Sequence, residues 1–591
     1  MFLLFKKGDP KIVANYRGIS LLNCITKLFT SIIARRITIW AVEHSLIPES
    51  QAGFRAGRCC SDNIFVLSTA IHEQIRTQGN VLYCTFVDFK AAFDSVDHNV
   101  LWQKLTVMGL SGKLLRVLAN FYRHANVQVR FGSSTTAALP ISNGVLQGDV
   151  LSPLLFTLLM ADFESFLDDV KAEGVAVGPD LRIKCLLYAD DLVLLARSKM
   201  QMQGAIDSLH SFCSVSGLSV NTDKTRVMVF SAVKKLPRGD LLLNGTPLKV
   251  VENYTYLGVV FSCNGKFAAQ VEAVKRKVLL AAAQVRPVLA QLSCLAQSCE
   301  HSLFEAKICS TLLYAADVWS VWHLQGVEQI QLQYYKRLFL LHFSTPGYVL
   351  RHLLNICPQS CRILQLCLNW HSRVLRMDPD RWPRKCLDRL VYRASQSANS
   401  EYNWVAKIEE LLVPHGLSFP PSLPVKEVAS MVWIRNKAQD SERAIASSYC
   451  PIFGQLVAAG TIAIPPTLNL REMRLAFQVV AQNGLFQSLF WCGAAEKFAP
   501  LSSCPCCRLG LPDTIEHMVA VCPAYGDLRL RTGLSVHRSL ADMVRAENGL
   551  VHIVSFLKSA WRRCDGIRSG RLSHPYSLSL PTATPFLSPL N

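Results

Sequence analysis

Three aspartates stand beside apolar segments whose composition is typical of buried strands. Asp88 follows the nearly continuous apolar run Val81–Val87, and the pair Asp190-Asp191 interrupts the apolar segment Cys185–Ala196. A buried charge is costly unless it is paired or bound to a metal, and unit charges about 4 Å apart repel by about 4 kcal/mol at an effective dielectric near 20. Clustered carboxylates at such positions therefore favour divalent cations or basic partners.

The chemistry that needs such a cluster is phosphoryl or nucleotidyl transfer by two Mg²⁺ ions roughly 3.5–4 Å apart. One ion activates the attacking hydroxyl, and the other holds the triphosphate and the leaving pyrophosphate. An isolated Asp-Asp pair is more often a solvated turn, so this interpretation depends on the order and spacing of further motifs. Adjacent strand residues point to opposite faces, and we therefore expect Asp190 to dominate metal contact over Asp191.

A second candidate metal site lies near the C-terminal end. Three cysteines and one histidine have the spacing C-x2-C-x9-H-x4-C, and three thiolates with one imidazole can close a tetrahedral structural zinc site. Cys506 is left over and is an alternative ligand. The predicted ligands are Cys504, Cys507, His517 and Cys522.

A further Cys/His cluster has helical spacing and is interleaved largely with Leu and Ile. Buried free cysteine behaves as a small hydrophobe, so we interpret this cluster as core. Its members are Cys357, Cys361, Cys367 and His371.

The composition indicates a nucleic-acid partner inside the cell. The net charge is +19 over 591 residues, which fits a polyanionic partner, most commonly nucleic acid, and equally an ordinary basic globular protein. The 21 cysteines are an odd number in a long chain, which favours reduced thiols and a location in the nucleus or cytoplasm. The longest uncharged stretch, Ala444–Leu470, is broken by prolines, so we expect no membrane-spanning segment and no membrane partner.

The elements that must position the aspartates predict an α+β fold built on an antiparallel sheet. Val81–Val87 reads as a strand buried on both faces, Cys185–Ala196 as a hairpin, and Asn244-Gly245 as a hairpin turn. Gln128 and Arg130 alternate with apolar residues, which indicates a half-exposed strand over 127–131. The expected helices are Ile25–Trp40, His98–Met108, Lys113–Tyr122, Pro153–Leu167, Met200–Val215, Phe267–Leu292 and Glu328–Leu341.

The motifs occur in an order that resembles the reverse transcriptases of LINE-like, non-LTR retrotransposons over roughly residues 2–262. Any one block is weak evidence, but the whole series matches in family order. The Cys/His segment near the C-terminus also resembles the zinc knuckle of these proteins. The matching blocks are Phe5–Asp9, Asn15–Leu22, Gln51–Gly57, Phe86–Asp94, Gly144–Pro153, Tyr188–Asp191, Gly217–Thr225 and Tyr256–Gly258.

The resemblance implies a right-hand polymerase with fingers and an antiparallel palm sheet, followed by a mostly helical region and a small zinc knuckle. It implies an RNA template, a DNA primer and dNTPs as partners, and Mg²⁺, or Mn²⁺ in its place, as cofactor. The implied divisions are fingers and palm over 1–262, a helical thumb-like region over 263–345, a helical linker over 346–499, the CCHC knuckle over 500–528, a helical segment over 529–566 and a disordered tail over 567–591.

The resemblance also implies roles for individual residues. Asp88, Asp190 and Asp191 match the catalytic carboxylates. Arg17 and Arg55 match fingers positions that meet the incoming triphosphate, because a planar guanidinium suits phosphate oxygens. The alternative for either arginine is a solvated surface group.

Five further positions complete the implied site. Phe93 matches the steric gate that excludes a ribose 2′-hydroxyl, with a core aromatic as the alternative. Gln147 and Gly148 match the loop beside the nascent base pair, where glycine permits close backbone approach. Lys224 is positioned to protonate pyrophosphate or is a structural lysine, and Tyr256 belongs to a block that matches the primer grip.

By this resemblance, residue 1 falls inside the fingers. We therefore expect upstream finger residues, and the endonuclease that often precedes such polymerases, to be missing from this chain. The alternative interpretation is a truncated, catalytically inactive retroelement relic that binds nucleic acid. An RNA polymerase with similar carboxylates is disfavoured by the bulky Phe93.

Overall fold

The computed structural model describes most of the chain, and contacts divide it into two compact units. The first unit comprises residues 1–270, 317–322 and 367–413, and the second comprises 271–316, 323–366 and 414–591. Residues 569–591, the bulk of the expected tail, lie outside the described residues. The described ranges are 1–6, 8–169, 172–233, 240–291, 297–397, 399–460, 462, 464–482, 487–491, 494–507, 509–534 and 539–568.

The strands are short apart from those around the aspartates. They are β1 (Phe2–Phe5), β2 (Tyr16–Ile19), β3 (Val81–Val87), β4 (Asn126–Val127), β5 (Arg130–Phe131), β6 (Ser134–Thr135), β7 (Leu139–Pro140), β8 (Val175–Ala176), β9 (Arg182–Ile183), β10 (Cys185–Tyr188), β11 (Asp191–Ala196), β12 (Arg226–Ser231), β13 (Leu242–Leu243), β14 (Thr246–Pro247), β15 (Lys249–Val250), β16 (Asn253–Tyr256), β17 (Val259–Ser262), β18 (Gln487–Trp491) and β19 (Ala494–Phe498).

The helices fall throughout both units. They are α1 (Cys24–Glu43), α2 (Cys60–Ile75), α3 (His98–Val107), α4 (Gly112–Arg123), α5 (Leu151–Leu159), α6 (Phe163–Asp169), α7 (Lys199–Ser216), α8 (Ala268–Gln291), α9 (Gln297–Leu303), α10 (Ser310–Leu312), α11 (Ala316–Trp319), α12 (Leu324–Leu338), α13 (Gly347–Leu354), α14 (Gln359–Leu375), α15 (Trp382–Gln396), α16 (Trp404–Leu412), α17 (Val425–Ala446), α18 (Pro451–Ala458), α19 (Leu470–Val480), α20 (Gly526–Arg531), α21 (Leu540–Arg545) and α22 (Gly549–Arg568).

Short tighter or wider helical turns interrupt these elements. The 3₁₀ turns are Val13–Asn15, Ser320–Trp322, Val413–His415 and Pro523–Tyr525, and the π-helical turns are Phe304–Cys309 and His517–Val521.

A five-stranded sheet in the order β10-β11-β3-β12-β15 forms the centre of the first unit. Strand β3 is antiparallel to both neighbours, with Val87 opposite Leu192 and Phe86 opposite Arg226. Its residues are almost entirely buried, as the continuous apolar run predicts for a strand covered on both faces. The expected hairpin is confirmed, because β10 pairs antiparallel with β11. The expected all-antiparallel pairing is wrong at one edge, where the two-residue β15 runs parallel to β12.

Helices with apolar stripes cover this sheet. Helix α2 is buried along nearly its whole length, and α7 packs on β11 and β3. The ends of α7 follow capping rules: the Ser198 side chain accepts a hydrogen bond from the Gln201 amide, and Gly217 ends the helix in the left-handed conformation. The helices and turns expected before residue 262 are all present, with ends displaced by a few residues and with Pro153–Leu167 divided between α5 and α6.

The first unit also includes residues that lie more than one hundred positions beyond the sheet in sequence. Helix α15 packs against α2. At its start, the Arg381 guanidinium donates to the Glu49 carboxylate at 2.8 Å and to the Asp62 carboxylate at 2.6 Å. Asp62 is buried, so this pairing satisfies a charge that is costly to bury alone. Residues 367–413 are therefore part of the unit that holds the aspartates.

The second unit is mostly helical, as predicted for the region after residue 262. Arg351 on α13 donates to Asp440 on α17 at 2.6 Å and to Glu328 on α12 at 2.9 Å, which ties three helices together. Strands β18 and β19 form a hairpin that precedes the Cys/His segment. Among the described residues of the chain, no helix combines the length and apolar character required to span a bilayer.

Candidate active site

Asp88 lies immediately beyond the last residue of β3, where backbone hydrogen bonds hold the chain. Its amide donates to the Thr225 hydroxyl at 3.2 Å, and its carbonyl accepts from the Asn221 amide at 2.7 Å. The Asp88 carboxylate lies 3.5 Å from the Lys224 ammonium. The chain segment 221–225 thus fixes the position of Asp88 and supplies its nearest cation.

The hairpin turn between β10 and β11 carries the other two aspartates. Tyr188 pairs with Asp191, and Ala189 has a φ of +59°, which turns the chain sharply before Asp190. Strands β3 and β11 are antiparallel, with Val87 opposite Leu192. The next position in this register therefore brings Asp88 opposite Asp191. The two segments that the sequence singled out therefore meet at one end of the sheet.

The carboxylates repel one another. Burial raises the pKa of Asp190, and Asp88 raises it further, whereas Arg17 and Lys6 lower it. Removal of water by the surrounding protein, together with Asp190 and Asp88, raises the pKa of Asp191 to about 6, even though part of this residue is exposed. Ionising all three carboxylates together is unfavourable without a cation, which is the electrostatic property expected of a divalent-metal site.

We expect Asp191→Asn to raise the Tm of the protein in EDTA at pH 7.5 and to leave it unchanged at pH 4. An aspartate with a pKa near 3.9 in the unfolded chain and about 6 in the folded one lowers stability above pH 6, and the penalty disappears as the pH falls below the unfolded value. Solvent screening limits the gain in folding stability to about 1 kcal/mol, or roughly 1–2 °C for a unit of this size. Thermal melts at both pH values measure this effect. Asp223→Asn, at an exposed aspartate, is the control, and an equal gain at both pH values contradicts the expectation.

A cavity of about 1040 Å³ opens beside these aspartates. It is large enough for a nucleotide-sized ligand. Seven of the residues selected from the sequence line it: Arg17, Asp88, Phe93, Gln147, Gly148, Asp190 and Lys224.

Arg55 and Asp191 are among the selected residues that do not line this cavity. The Arg55 guanidinium donates to the backbone carbonyls of Pro48 at 2.8 Å and Gln51 at 3.1 Å, and burial lowers the pKa of Arg55 to about 10. Its hydrogen bonds thus brace a loop, and the triphosphate contact stays a prediction. Asp190 lines the cavity and Asp191 does not, and the expectation that Asp190 dominates metal contact stays a prediction.

The Phe93 ring forms one wall of the cavity. It stacks on Phe156 with ring centroids 4.8 Å apart and meets Phe54 edge-on at 6.4 Å. Phe156 belongs to the buried core, so the orientation of Phe93 is fixed by packing on one side while its other side faces the cavity. The ring is therefore a packed aromatic, and its role as a steric gate stays a prediction.

The Gln147-Gly148 loop is held by contacts that the sequence did not predict. The Gln147 side-chain amide donates to both carboxylate oxygens of Asp94 at 3.1 Å. Gly148 has a φ of +114°, and a Cβ there would lie 2.5 Å from the Ser20 carbonyl oxygen. Glycine is therefore required by the protein's own backbone, in addition to any approach of a base pair.

Sequence reasoning missed other groups that line the cavity. Lys6 belongs to the block Phe5–Asp9, to which the sequence analysis gave no individual role. Burial raises the pKa of Asp94, and the positive charges of Lys6 and Arg17 partly oppose that increase. Asp149 is buried and accepts a hydrogen bond from the Thr30 hydroxyl at 2.6 Å. A lysine and an aspartate in a loop carry no distinguishing pattern, so only the fold reveals these contacts.

Tyr256, from the block that resembles a primer grip, is buried. Its hydroxyl accepts a hydrogen bond from the Asn63 side chain at 3.3 Å. Its neighbour Tyr254 stacks on Phe86 of β3 with ring centroids 4.2 Å apart. The β16–β17 hairpin is thus packed onto the central sheet through its tyrosines.

The four predicted zinc ligands come together in the second unit. Their ligand atoms all lie within 4.8 Å of one another, and three of the residues are buried: Cys504, His517 and Cys522. A tetrahedral zinc site with Zn–S bonds of about 2.3 Å requires sulfur separations of about 3.8 Å. Cys506 instead faces the Tyr525 hydroxyl, with the sulfur and oxygen 3.3 Å apart.

Comparison with known proteins identifies relatives of this chain. Residues 5–261 match the family model described as reverse transcriptase (RNA-dependent DNA polymerase). The probable RNA-directed DNA polymerase from transposon X-element of Drosophila melanogaster is 26% identical over 341 residues, which cover 56% of this chain and 36% of that protein. The putative 115 kDa protein in the type-1 retrotransposable element R1DM of the same species is 24% identical over 548 residues, covering 89% of this chain and 47% of that protein.

The chain spans less than half the length of these curated relatives. Among solved structures, telomerase from Candida tropicalis in complex with a fragment of telomeric RNA covers 69% of this chain and 56% of its own, at 12% identity. The TM-score of this structural match is 0.32.

Proposed function

We propose that the reverse transcriptase domain at residues 5–261 gives this chain an RNA-directed DNA polymerase activity within a non-LTR retrotransposon. The observation that carries the proposal is the meeting of Asp88, Asp190 and Asp191 at one end of the central sheet, beside a nucleotide-sized cavity. In this proposal the sheet is the palm, and the ligands are an RNA template, a DNA primer and dNTPs.

The donor set fits divalent magnesium. Oxygen ligands suit Mg²⁺, and the raised pKa values of Asp190 and Asp191 indicate an excess of negative charge that a cation would neutralise. Asp88 and Asp190 would hold the metal, with Asp191 as a third ligand. When bound, the metal supplies charge neutralisation for the triphosphate and lowers the pKa of the primer hydroxyl.

The remaining side chains orient the substrates. Arg17 and Lys6 line the cavity and place positive charge where triphosphate oxygens would lie. The Lys224 ammonium, held by Asp88, is available to donate a proton to the departing pyrophosphate. The Asp94 carboxylate fixes the Gln147 amide, so this loop forms a firm surface against the nascent base pair. Base pairing with the RNA template, and not contact with the protein, selects each incoming nucleotide.

Primer extension by the purified full chain tests the proposal. The assay combines Mg²⁺, an annealed RNA template with a DNA primer, and dNTPs. Wild-type protein is expected to extend the primer, and the Asp190→Ala/Asp191→Ala double variant is expected to give background product. Equal product from both proteins would refute the activity. Salt-dependent RNA binding without extension would support the alternative, an inactive nucleic-acid-binding relic.

Phe93→Ala is expected to reduce selection of dNTPs over rNTPs by about 10- to 100-fold. Removing the ring opens space where a ribose 2′-hydroxyl would clash, and steric discrimination of this kind is worth about 1–3 kcal/mol. The ratio of kcat/KM for dCTP and CTP measures the effect. Phe54→Ala, which removes another aromatic ring from the same cavity, is the matched control. An unchanged ratio in Phe93→Ala would exclude the gate.

We further propose that Cys504, Cys507, His517 and Cys522 bind one structural zinc ion, as their proximity supports. The donor set of three thiolates and one imidazole is a common zinc combination. The proposed role is to stabilise a nucleic-acid-binding segment of the second unit. An intracellular location, in the nucleus or the cytoplasm as a ribonucleoprotein, is also part of the proposal, and cell fractionation would test it.

A further inference from the structure

The loop Ser50–Gly53 lies against the backbone of the aspartate hairpin. The Leu187 amide donates to the Ser50 carbonyl at 2.9 Å, and the Ala52 amide donates to the Leu187 carbonyl at 2.9 Å. Two main-chain hydrogen bonds therefore attach this loop to β10, the strand that leads directly into Asp190.

The Gln51 side chain adds a contact at the turn itself. Gln51 is 1% exposed, and its carbonyl Oε1 accepts hydrogen bonds from the amides of Ala189 at 3.0 Å and Gly53 at 2.8 Å. Ala189 has a φ of +59°, a conformation that alanine rarely adopts. A single buried oxygen thus holds the strained residue that precedes Asp190.

Gly53 allows the loop to approach this turn closely. A Cβ at position 53 would lie 2.2 Å from the Ala189 nitrogen and 2.8 Å from the Tyr188 carbonyl carbon. Both atoms belong to the backbone, so no side-chain adjustment can relieve the contact. The loop and the turn are therefore packed backbone against backbone.

The other end of the loop is anchored within the same unit. Glu49 pairs with Arg58 and accepts from Arg381 at 2.8 Å, while Arg381 also pairs with Asp62 at the start of α2. Helix α2 in turn packs on β3 and β10. The loop is therefore held by contacts on both sides, which fix its position relative to the aspartate hairpin.

We propose that Gln51 is a positioning residue, which holds the Ala189 turn so that the Asp190 carboxylate is aligned with Asp88 for metal binding. Gln51 does not line the cavity, so it acts through the hairpin and not on the substrate. The inference rests on the proposed polymerase function for its kinetic consequences, but its effect on metal binding is independent of catalysis.

The test compares Gln51→Met with Gln51→Glu in the full chain. Methionine has a similar shape without the acceptor, and we expect kcat to fall about 10- to 100-fold, as misplacing a catalytic group by about 1 Å does. We expect the Mg²⁺ concentration for half-maximal activity to rise several-fold and the KM for dNTP to stay within about threefold. Burial favours the neutral acid form of a glutamate at this position, which keeps a carbonyl acceptor, so Gln51→Glu should retain most of the activity.

Gln74→Met is the matched control. Gln74 is another buried amide of the same unit, and it donates to the Ala176 carbonyl at 3.2 Å. A purely structural role for Gln51 would lower activity in proportion to the folded fraction in both variants, with the Mg²⁺ midpoint unchanged, and that result would overturn the proposal. If Gln51→Met does not fold, Gln51→Asn, which shortens the amide by one methylene, decides the question by the same criteria.

Metal binding separates this inference from the proposed function. The Mg²⁺-dependent rise in Tm is measured for each variant without nucleotide or nucleic acid. A weaker Mg²⁺ response in Gln51→Met than in wild type and Gln74→Met supports the positioning role even if no protein extends a primer. An identical Mg²⁺ response in all three proteins refutes it.

Discussion

Asp88→Asn should reduce primer extension by about 10³-fold or more while leaving the protein folded. A metal-bound carboxylate contributes several kcal/mol to stabilising the charge that develops during phosphoryl transfer. Asparagine has nearly the same shape but cannot neutralise the cation. The backbone hydrogen bonds of Asp88 to Thr225 and Asn221 do not involve its side chain, so they should survive the substitution.

Single-turnover extension at saturating dNTP measures this loss. Thermal melts in EDTA are expected to show no decrease in Tm. Asp88 raises the pKa values of Asp190 and Asp191, so removing its charge relieves repulsion within the cluster. The pair with exposed Lys224 is worth about 0–1 kcal/mol and does not offset this relief. Addition of Mg²⁺ should raise the Tm of wild type but not of Asp88→Asn.

Asp223→Asn is the matched control for this experiment. It removes an exposed aspartate from the segment that carries Lys224, with no place in the carboxylate cluster. Extension by Asp88→Asn within tenfold of wild type, with its Mg²⁺-dependent stabilisation intact, would remove Asp88 from the metal site.

The carboxylate cluster was accessible to sequence reasoning because local pattern determines it. The apolar run Val81–Val87 and the interrupted run Cys185–Ala196 predict buried strands, and the structure places both in one sheet with β3 and β11 adjacent. Asp190 lies in the turn and Asp191 begins β11, and only Asp190 of the two lines the cavity. The two strands follow from the chain neighbours of each aspartate, whereas the metal-site interpretation also needs the order and spacing of the other motifs.

The contacts that hold this cluster in place could not be predicted from local sequence. Gln51 contacts Ala189 across 138 positions, and Arg381 contacts Asp62 across 319 positions. The residues that flank a Gln or an Arg in sequence do not indicate a partner so far along the chain. The Arg381–Asp62 contact, for example, arises only when α15 packs on α2. The guanidinium of Arg55 donates to the nearby Pro48 and Gln51 carbonyls, a bracing role that the motif did not predict, while its triphosphate contact stays a prediction.

The boundaries of the two units could not be predicted from local sequence either. Linear boundaries predicted from composition assign residues 346–499 to one helical region. In the structure, residues 367–413 belong to the unit with the central sheet. Charge pairing explains this membership, since Glu73 of α2 pairs with Arg389 and Arg393 of α15. The sheet-bearing unit is thus larger than the stretch that matches the reverse transcriptase family model.

Cys522→Ser should abolish zinc binding and unfold the Cys/His segment. Cys522 is fully buried, its amide donates to the His517 carbonyl at 2.7 Å, and its carbonyl accepts from Arg529 at 2.6 Å. Structural zinc contributes about 10–16 kcal/mol to small metal-bound folds, far more than these hydrogen bonds at about 1 kcal/mol each. Without the metal, the remaining ligands, buried Cys504 and His517 and half-buried Cys507, lose their common partner.

Metal analysis and protease mapping of the purified full chain measure both effects. Wild type is expected to hold about one zinc per chain, and Cys522→Ser close to none, with new cleavage between residues 500 and 528. Burial and the neighbouring thiols of Cys504 and Cys507 raise the pKa of Cys522. Zinc must displace this proton, so zinc affinity should increase with pH.

Cys506→Ser is the matched control, because it removes a thiol two residues from Cys504 that faces the Tyr525 hydroxyl instead of the other ligands. It should keep its zinc and its protease resistance. Equal zinc loss in Cys506→Ser and Cys522→Ser would mean that the four ligands are wrongly assigned. Zinc retained at the wild-type level in Cys522→Ser would exclude the site, because three remaining ligands cannot close a tetrahedral structural centre.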